Sequence, residues 1–232
     1  MAASAHNPLS AILVEEAGFP VIWASGLELS ASRGVPDANV LTMADVLEST
    51  RQMAAAVEIP VLADCDSGFG DIGNVIEMVK QFESAGVAGV CIEDKTFPKL
   101  NSFAAGSQEM VAKEAMAAKI LAAIDARRDS SFVIVARIES FISGAGLTDA
   151  LERAEIYERA GADALLIHSK EPHADEIRSF IESYRGALPL IAVPTTYSSV
   201  TAAALHALGI ALVIYANQTL RGCADRWMRA WR

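Results

Sequence analysis

The sequence has no long apolar segment, few cysteines and no cluster of basic residues. Its longest apolar runs have the length of strands, too short to cross a bilayer. No charged-then-apolar leader with a small-residue cleavage site is recognisable, so we do not expect secretion. The three cysteines, Cys65, Cys91 and Cys223, are odd in number and widely spaced. Such spacing does not resemble a disulfide framework or a zinc site and favours a reducing cytoplasm.

The charge balance is acidic, with a formal net charge of −10. A nucleic-acid-binding protein needs a basic face, and no group of Lys and Arg residues provides one. We therefore expect neither a nucleic-acid partner nor a membrane partner. A small anionic substrate remains compatible with this charge if a metal ion and a few cations reverse the field locally.

The 232 residues, of which 52% are hydrophobic, fit one large α/β domain. Eight short apolar runs alternate with longer amphipathic stretches. Each run is apolar nearly throughout, which is typical of parallel strands covered on both faces. The predicted strands are Met1–Ala5, Val21–Ser25, Val61–Cys65, Gly89–Glu93, Phe132–Ile138, Ala164–His168, Leu190–Pro194 and Leu212–Ala216.

Helical periodicity fills most of the intervals between these runs. The predicted helices are Leu9–Ala17, Met43–Val57, Ile72–Ser84, Ala112–Ala126, Leu147–Ala160, Asp175–Tyr184 and Ser199–Leu208. This alternation predicts a single (β/α)₈ barrel over residues 1–232. An open doubly wound sheet is the alternative, and the absence of a Gly-x-Gly-x-x-Gly or P-loop sequence after the first run weakens it.

Two long stretches, Gly26–Thr42 and Lys95–Gln108, lack clear periodicity. Both leave the C-terminal end of a predicted strand, where barrel enzymes build their sites. Loops of this length in a compact domain are usually functional or disordered. We interpret both as functional loops.

Every predicted strand delivers a polar or charged residue at that same end. A single such residue is more often a helix cap or an ordinary loop residue. A whole rim of them favours a shared site. The residues are His6-Asn7, Ser25, Asp64, Asp66, Glu93-Asp94-Lys95, Arg137, Glu139, His168-Ser169, Thr195-Thr196 and Asn217.

Three acidic residues of this rim, Asp64, Asp66 and Glu93, come from neighbouring strands. Converging carboxylates repel one another unless a cation joins them. Ligands that offer only oxygen suit Mg²⁺ or Mn²⁺, and Mg²⁺ usually keeps several waters between itself and such carboxylates. The alternative is that one or two of them cap helices or pair with lysines.

The cations of the rim are Arg137 and His168. Arg137 ends a strongly apolar strand, where an unpaired guanidinium is costly, so it needs an anionic partner. Glu139 and a bound carboxylate or phosphoryl group are both suitable partners. His168 alone would be interpreted as a satisfied rim histidine, but beside Arg137 and the carboxylates it is interpreted as facing a ligand.

The sequence resembles the phosphoenolpyruvate mutase branch of the isocitrate lyase superfamily over nearly its whole length. The most specific stretch is EDKTFPKLNS at 93–102, similar to the branch's signature of Glu-Asp-Lys, five residues and Asn-Ser. Further similar blocks are WASGL at 23–27, the 34–39 loop, DCDSGFG at 64–70, VARIESF at 135–141 and HSK at 168–170.

The resemblance implies a metal site at Asp66, supported through water by Asp64 and Glu93. It implies that Asp37 either accepts the phosphoryl group transiently or steers it, and that Lys95–Gln108 is a closing lid. The remaining implied site residues are the backbone of Ser25, Gly26 and Leu27 for the substrate carboxylate, and Lys99, Asn101, Arg137 and His168 for the phosphoryl group.

For function, the resemblance implies a Mg²⁺-dependent mutase, an isomerase that interconverts phosphoenolpyruvate and phosphonopyruvate and normally serves phosphonate biosynthesis. Phosphonopyruvate hydrolase is the close alternative, and Asn101 favours the mutase. A barrel that binds a keto acid without catalysis is a third hypothesis. The superfamily's lyases carry a catalytic cysteine in a Lys-Lys-Cys-Gly-His segment, and the equivalent Lys95-Thr96-Phe97-Pro98-Lys99 has none.

Both ends of the sequence depart from the pattern of the family. The first strand begins almost at once, without the usual leading helix, and the sequence ends at Trp231-Arg232, soon after the last strand. The resemblance implies a homodimer or homotetramer, in which a C-terminal helix commonly swaps between subunits. Trp227 and Trp231, four residues apart, indicate a last helix that docks on something apolar.

Overall fold

Eight parallel strands pair in chain order and close into a barrel, as a computed structural model of the chain describes for residues 1–106 and 108–230. The first strand pairs with both the second and the last, which confirms the (β/α)₈ prediction and excludes an open sheet. The strands are β1 Ala2–Ala5, β2 Val21–Ala24, β3 Val61–Asp64, β4 Gly89–Glu93, β5 Val133–Ile138, β6 Ala164–Ile167, β7 Leu190–Ala192 and β8 Ile210–Tyr215.

Helices cover the outside of the barrel. They are α1 Pro8–Glu16, α2 Gly26–Ser32, α3 Met43–Ala54, α4 Ile72–Ser84, α5 Lys113–Ala126, α6 Ser140–Ser143, α7 Gly146–Arg159, α8 Asp175–Ser183, α9 Ala202–Ala207 and α10 Gln218–Ala230. The prediction of the stretch Gly26–Thr42 as a loop was wrong in its first part, because α2 begins directly after β2. This helix has only seven residues, too few for a periodic pattern to stand out.

Each strand alternates between a side chain inside the barrel and one beneath the helices, as the two-residue period of a strand requires. The inner residues form their own apolar cluster. On four strands, the next inward position toward the C-terminal end carries a predicted site residue. The successive inward pairs are Leu62 and Asp64, Cys91 and Glu93, Val135 and Arg137, and Leu166 and His168. The candidate site is therefore the top layer of the barrel interior.

The larger core lies between the strands and the helices. Among its fully buried members are Phe82, Met116, Tyr157 and Phe180, from α4, α5, α7 and α8. Burying such a side chain contributes about 1.5–3 kcal/mol. This shell fixes the helices against the barrel and so determines where each connecting loop leaves its strand.

The last helix, α10, follows β8 closely. Trp227 on this helix is 71% exposed, so its ring is not buried in the core, and Trp231 lies outside the described residues. Within the described residues, no helix is both long enough and apolar enough to cross a membrane.

Candidate active site

A cavity opens at the C-terminal ends of the strands. Its wall contains most of the predicted site residues, while Gly26, Asp66 and Glu93 lie directly behind that wall. The lining residues are Trp23, Ser25, Leu27, Asp37, Asp64, Lys99, Asn101, Ser102, Phe103, Arg137, His168, Val193, Thr195, Ala216 and Asn217.

One part of the predicted rim does not belong to this cavity. The His6 Nδ1 atom lies 3.0 Å from Glu28 Oε2, and Asn7 caps α1 by accepting a hydrogen bond from the Ser10 amide. Ser169 donates to Glu176 on α8. For these residues the interpretation as ordinary cap and loop residues is the right one.

Asp64 and Asp66 form the acidic side of the cavity and are 8% and 7% exposed. Burial raises the pKa of Asp66 to about 7; Lys99 opposes this shift, and Asp64 adds to it. Burial likewise raises the pKa of Asp64, against the nearby Arg137. Crowded, poorly solvated carboxylates of this kind favour either a proton or a cation.

The acidic side has oxygens available for a metal ion. Glu93 Oε1 is buried and accepts no hydrogen bond from the described residues, whereas Asp66 Oδ1, also buried, has the Lys99 ammonium group 2.9 Å away as its charged partner. A side chain at Gly26 would begin 3.3 Å from Asp66 Oδ1 and 3.4 Å from Asp64 Oδ2, so glycine keeps the space before both carboxylates open. Such an oxygen-only donor set fits Mg²⁺.

The three carboxylates do not form a closed cage. In the described part of the chain, no three His, Cys, Asp or Glu side chains converge closely enough to hold one ion directly. An ion placed here would therefore need water to complete its ligand shell. Mg²⁺ commonly retains several waters in this way.

The segment Lys95–Gln108, predicted as a lid, lies over the acidic side. Lys99 Nζ is 2.7 Å from Asp37 Oδ1 and 2.9 Å from Asp66 Oδ1. Asn101 Nδ2 donates to Asp37 Oδ2 at 2.6 Å. Burial would raise the pKa of Asp37, but Lys99 and Asn101 hold it below its usual value. For Lys99, burial opposes the charged form, yet Asp66 and the other carboxylates raise the pKa.

Arg137 and His168 form the cationic side, and one buried carboxylate orients both. Glu139 Oε1 accepts from Arg137 Nε at 2.6 Å and lies 2.7 Å from His168 Nδ1. The same Nδ1 lies 2.8 Å from Arg137 Nη2, so a carboxylate that only accepts and a guanidinium that only donates both contact this ring nitrogen. Burial would raise the pKa of Glu139, but Arg137 and His168 hold it well below its usual range.

The guanidinium of Arg137 joins the two sides, because Nη2 lies 3.4 Å from Glu93 Oε2. The sequence left two partners open for Arg137, namely Glu139 and a bound anionic group. In the structure, Glu139 contacts Arg137. Its place in the cavity wall leaves it accessible to a ligand as well.

Four further residues complete the site; Lys95 and Glu139 were predicted as rim residues, whereas Asn39 and Ser102 were not. Asn39 donates to Asp66 Oδ2 at 2.8 Å and accepts from the Lys99 amide at 2.6 Å, which ties the acidic side to the lid. Lys95 Nζ contacts Ser102 Oγ at 2.7 Å and Glu139 Oε2 at 3.2 Å. Only the position of Lys95 and Ser102 inside EDKTFPKLNS, and of Glu139 two residues after Arg137, gave a signal.

Behind Glu139 lies Asp94, a fully buried support for the cationic side. Its carboxylate accepts from the Glu139 amide at 3.0 Å, from the Tyr157 hydroxyl at 2.8 Å and from Arg153 Nη1 at 3.1 Å. Burial raises the pKa of Asp94 to about 6, with Arg153 opposing the shift. This network fixes the backbone at the point where Glu139 turns toward Arg137.

Comparison with known proteins agrees with this geometry. The family model described as phosphoenolpyruvate phosphomutase matches residues 1–232. The chain belongs to this family. It is 50% identical over 222 residues to a phosphonopyruvate hydrolase from Variovorax sp., covering 95% of this chain and 77% of the relative. Lyases of the same superfamily also match, at lower identity.

Solved structures of the family superpose closely. A phosphoenolpyruvate phosphomutase from Streptomyces platensis subsp. rosaceus has a TM-score of 0.98 at 48% identity, covering 99% of this chain and 80% of the other. A phosphonopyruvate hydrolase in complex with oxalate and Mg²⁺ has a TM-score of 0.94 at 47% identity, with the same coverage. Family members so similar to this chain thus include both a mutase and a hydrolase.

Proposed function

We propose that this enzyme is a phosphoenolpyruvate mutase, which moves a phosphoryl group between C3 and the enol oxygen of pyruvate. The observation that carries the proposal is the two-sided mouth of the barrel. Asp64 lines the cavity on one side, with the buried carboxylates of Asp66 and Glu93 behind it, and Arg137 and His168 line the same cavity on the other. A molecule with a keto acid at one end and a phosphorus group at the other matches both sides.

On the acidic side, Asp66 would hold Mg²⁺ directly, with Asp64 and Glu93 acting through water. Mg²⁺ supplies positive charge beside the carboxylate and the developing enolate oxygen of the substrate. Mn²⁺ is the expected substitute. The backbone amides of Gly26 and Leu27 begin α2 and have no acceptor within the helix. Together with Ser25 they would bind the substrate carboxylate.

On the other side, Arg137, His168, Lys99 and Asn101 would surround the phosphoryl group. Its transfer passes through a loose, metaphosphate-like state that needs positioning and charge stabilisation rather than proton transfer. Asp37 lies between Lys99 and Asn101, which hold its carboxylate in place. Asp37 would either accept the phosphoryl group transiently or steer its movement between C3 and the enol oxygen.

Exclusion of water decides between transfer and hydrolysis. Lys99, Asn101, Ser102 and Phe103 of the lid all line the cavity, so the lid covers the space in which the phosphoryl group would move. A closed site of this kind protects a reactive group from water. This cover and the amide of Asn101 favour the mutase.

The second candidate is phosphonopyruvate hydrolase, which the 50% identity to such an enzyme favours. Isocitrate-type cleavage has less support, because Cys65 and Cys91 are buried and Cys223 lies on α10, away from the lid. We also propose a cytoplasmic homo-oligomer that serves phosphonate biosynthesis.

The test is to incubate the protein with phosphonopyruvate and Mg²⁺ and to follow phosphorus by NMR. Phosphoenolpyruvate as the product supports the mutase, whereas inorganic phosphate with pyruvate shows the hydrolase instead. Asp66→Ala should abolish metal-dependent turnover and leave the circular dichroism spectrum unchanged. If neither product forms while oxalate still binds with Mg²⁺, the protein is a non-catalytic keto-acid-binding barrel.

A further inference from the structure

Lys119 is a buried lysine outside the cavity. It lies on α5, on the outer side of the barrel, and is only 8% exposed. Its Nζ atom donates to the backbone carbonyls of Ser67 at 2.8 Å and Gly70 at 2.7 Å. Lys119 forms no salt bridge with a carboxylate of the described residues, although the charge of Asp71 partly offsets the lowering of its pKa by burial. A buried cation bound only to carbonyl groups is costly to desolvate, so its position calls for a structural reason.

The loop that Lys119 contacts is the one that carries Asp66. Between β3 and α4, the backbone is left-handed at four positions, Asp66 (φ 49°), Gly68 (85°), Phe69 (59°) and Gly70 (147°). Such conformations are unfavourable for residues with a side chain and persist only where the surroundings hold them. The loop therefore needs contacts from outside to keep its shape.

Other contacts hold both ends of the loop and part of its middle, where the Gly68 amide donates to the Cys65 carbonyl at 2.9 Å and Phe69 packs in the core. The Glu93 amide donates to the Asp66 carbonyl at 2.7 Å, and Asp71 caps α4 at the far end. Lys119 supplies a contact to the middle, because it draws the carbonyls of Ser67 and Gly70 toward a single point. A four-residue segment held at its first and last carbonyls cannot rotate without losing one of these bonds.

We propose that Lys119 is a positioning residue for the metal site, holding the β3–α4 loop in the shape that presents Asp66 to the ion. The inference rests on the proposed function in so far as Asp66 holds Mg²⁺. Lys119 acts only through the backbone, so its loss weakens metal binding without removing any group that touches the metal or the substrate.

The test compares Mg²⁺ binding by titration calorimetry, at saturating oxalate, in Lys119→Met, Lys119→Arg and the parental protein. In Lys119→Met we expect the Kd for Mg²⁺ to rise about tenfold, while kcat at saturating Mg²⁺ stays near the parental value. Lys119→Arg restores the two donors and should recover most of the affinity. The matched control is Lys113→Met on the same helix, which loses only a surface pair with Glu152 and should bind Mg²⁺ normally.

A folded Lys119→Met protein with the parental Kd overturns the proposal. Should Lys119→Met not fold, Lys119→Gln is used instead; its shorter side chain loses the charge and cannot reach both carbonyls, so the Kd should still rise, and a parental Kd in that variant overturns the proposal equally. If the parental protein itself does not bind Mg²⁺, the metal assignment fails and the role of Lys119 fails with it. Parental binding with no response to Lys119 substitutions rejects the positioning role alone.

Discussion

His168 shows how burial and one partner set the protonation state of a site residue. Burial lowers the pKa of this histidine, Glu139 opposes the shift, and Arg137 adds to it. A pKa below its usual value of about 6.5 leaves the imidazole mainly neutral at pH 7. Because the His168 ring is neutral and Arg137 is charged, the positive charge of the cationic side lies on the guanidinium.

A pH dependence of stability follows from this shift. Below the pKa of about 6.5 for an unfolded histidine, the unfolded chain binds a proton that folded His168 does not yet bind. The contribution of His168 to the free energy of unfolding should thus fall as the pH drops from about 6.5, while the raised pKa values of Asp66 and Asp94 act in the opposite direction, so the difference between the parental protein and His168→Asn isolates it. Denaturant titrations at several pH values measure the fall, and His168→Asn should reduce it. An imidazole NMR titration midpoint at or above 6.5 contradicts the account.

At the scale of single residues, the sequence was sufficient to predict those side chains whose position depends only on the two-residue alternation along a strand. Asp64, Glu93, Arg137 and His168 each continue an inward-facing series by one step, so a correct strand assignment was sufficient. Asn39 and Lys119 reach the site from a loop and from an outer helix. Their contacts depend on how distant segments pack, which no local pattern encodes.

Among the elements, the lid is the one that joins both sides of the site. Its residues Lys99 and Asn101 contact Asp37, and Lys95 and Ser102 contact Glu139. The sequence indicated the lid through its length and lack of periodicity. It gave no indication that a buried lysine at its start, only 2% exposed, ties it to the cationic side.

Lys95→Met removes the ammonium group that contacts Leu100, Ser102 and Glu139. We expect amide hydrogens of the lid to exchange about tenfold faster, corresponding to a loss of about 1.4 kcal/mol in the free energy of local opening. Hydrogen-exchange mass spectrometry measures this directly. Lys80→Met on the exposed face of α4 is the control and should leave exchange unchanged. If the lid amide hydrogens of Lys95→Met exchange at the parental rate, Lys95 does not hold the lid to the cationic side.

The β3–α4 loop gives a second prediction among the elements. A Cβ at Gly68 would lie 2.6 Å from Val75 Cγ2, on a backbone with a φ of 85°. Gly86 has a similar φ of 78° but open space around it. Gly86→Ala should cost about 1 kcal/mol of unfolding free energy, for backbone strain alone, and Gly68→Ala about 2–4 kcal/mol, since crowding adds to the strain. Equal costs in denaturant titrations contradict the proposed packing.

At the scale of the whole molecule, the barrel brings eight strand ends to one mouth and divides it into two sides. The fold was predictable because eight apolar runs alternate with helices over a single domain length. The choice between mutase and hydrolase is not, since relatives of both kinds match the chain at similar identity, and we expect the two reactions to differ in how well water is excluded. That exclusion depends on the packing of the whole lid rather than on any one residue.

The division into two sides predicts that the keto-acid end and the phosphorus end of the substrate can be disturbed separately. Oxalate resembles only the keto-acid end, so it should require Mg²⁺ and Asp66 but not the fork of Arg137. Arg137→Lys keeps the charge next to Glu93 and Glu139 and loses the planar fork that suits a phosphoryl group. Its turnover of phosphonopyruvate should fall about 100-fold.

The most direct measurement is calorimetric titration of oxalate into the parental protein, Asp66→Ala and Arg137→Lys, each with and without Mg²⁺. We predict Mg²⁺-dependent binding in the parental protein, binding within about twofold of it in Arg137→Lys, and none in Asp66→Ala. Two results would contradict a metal-holding acidic side that is separate from the phosphorus-holding cationic side. One is Mg²⁺-dependent binding of oxalate by folded Asp66→Ala. The other is the complete loss of oxalate binding in Arg137→Lys.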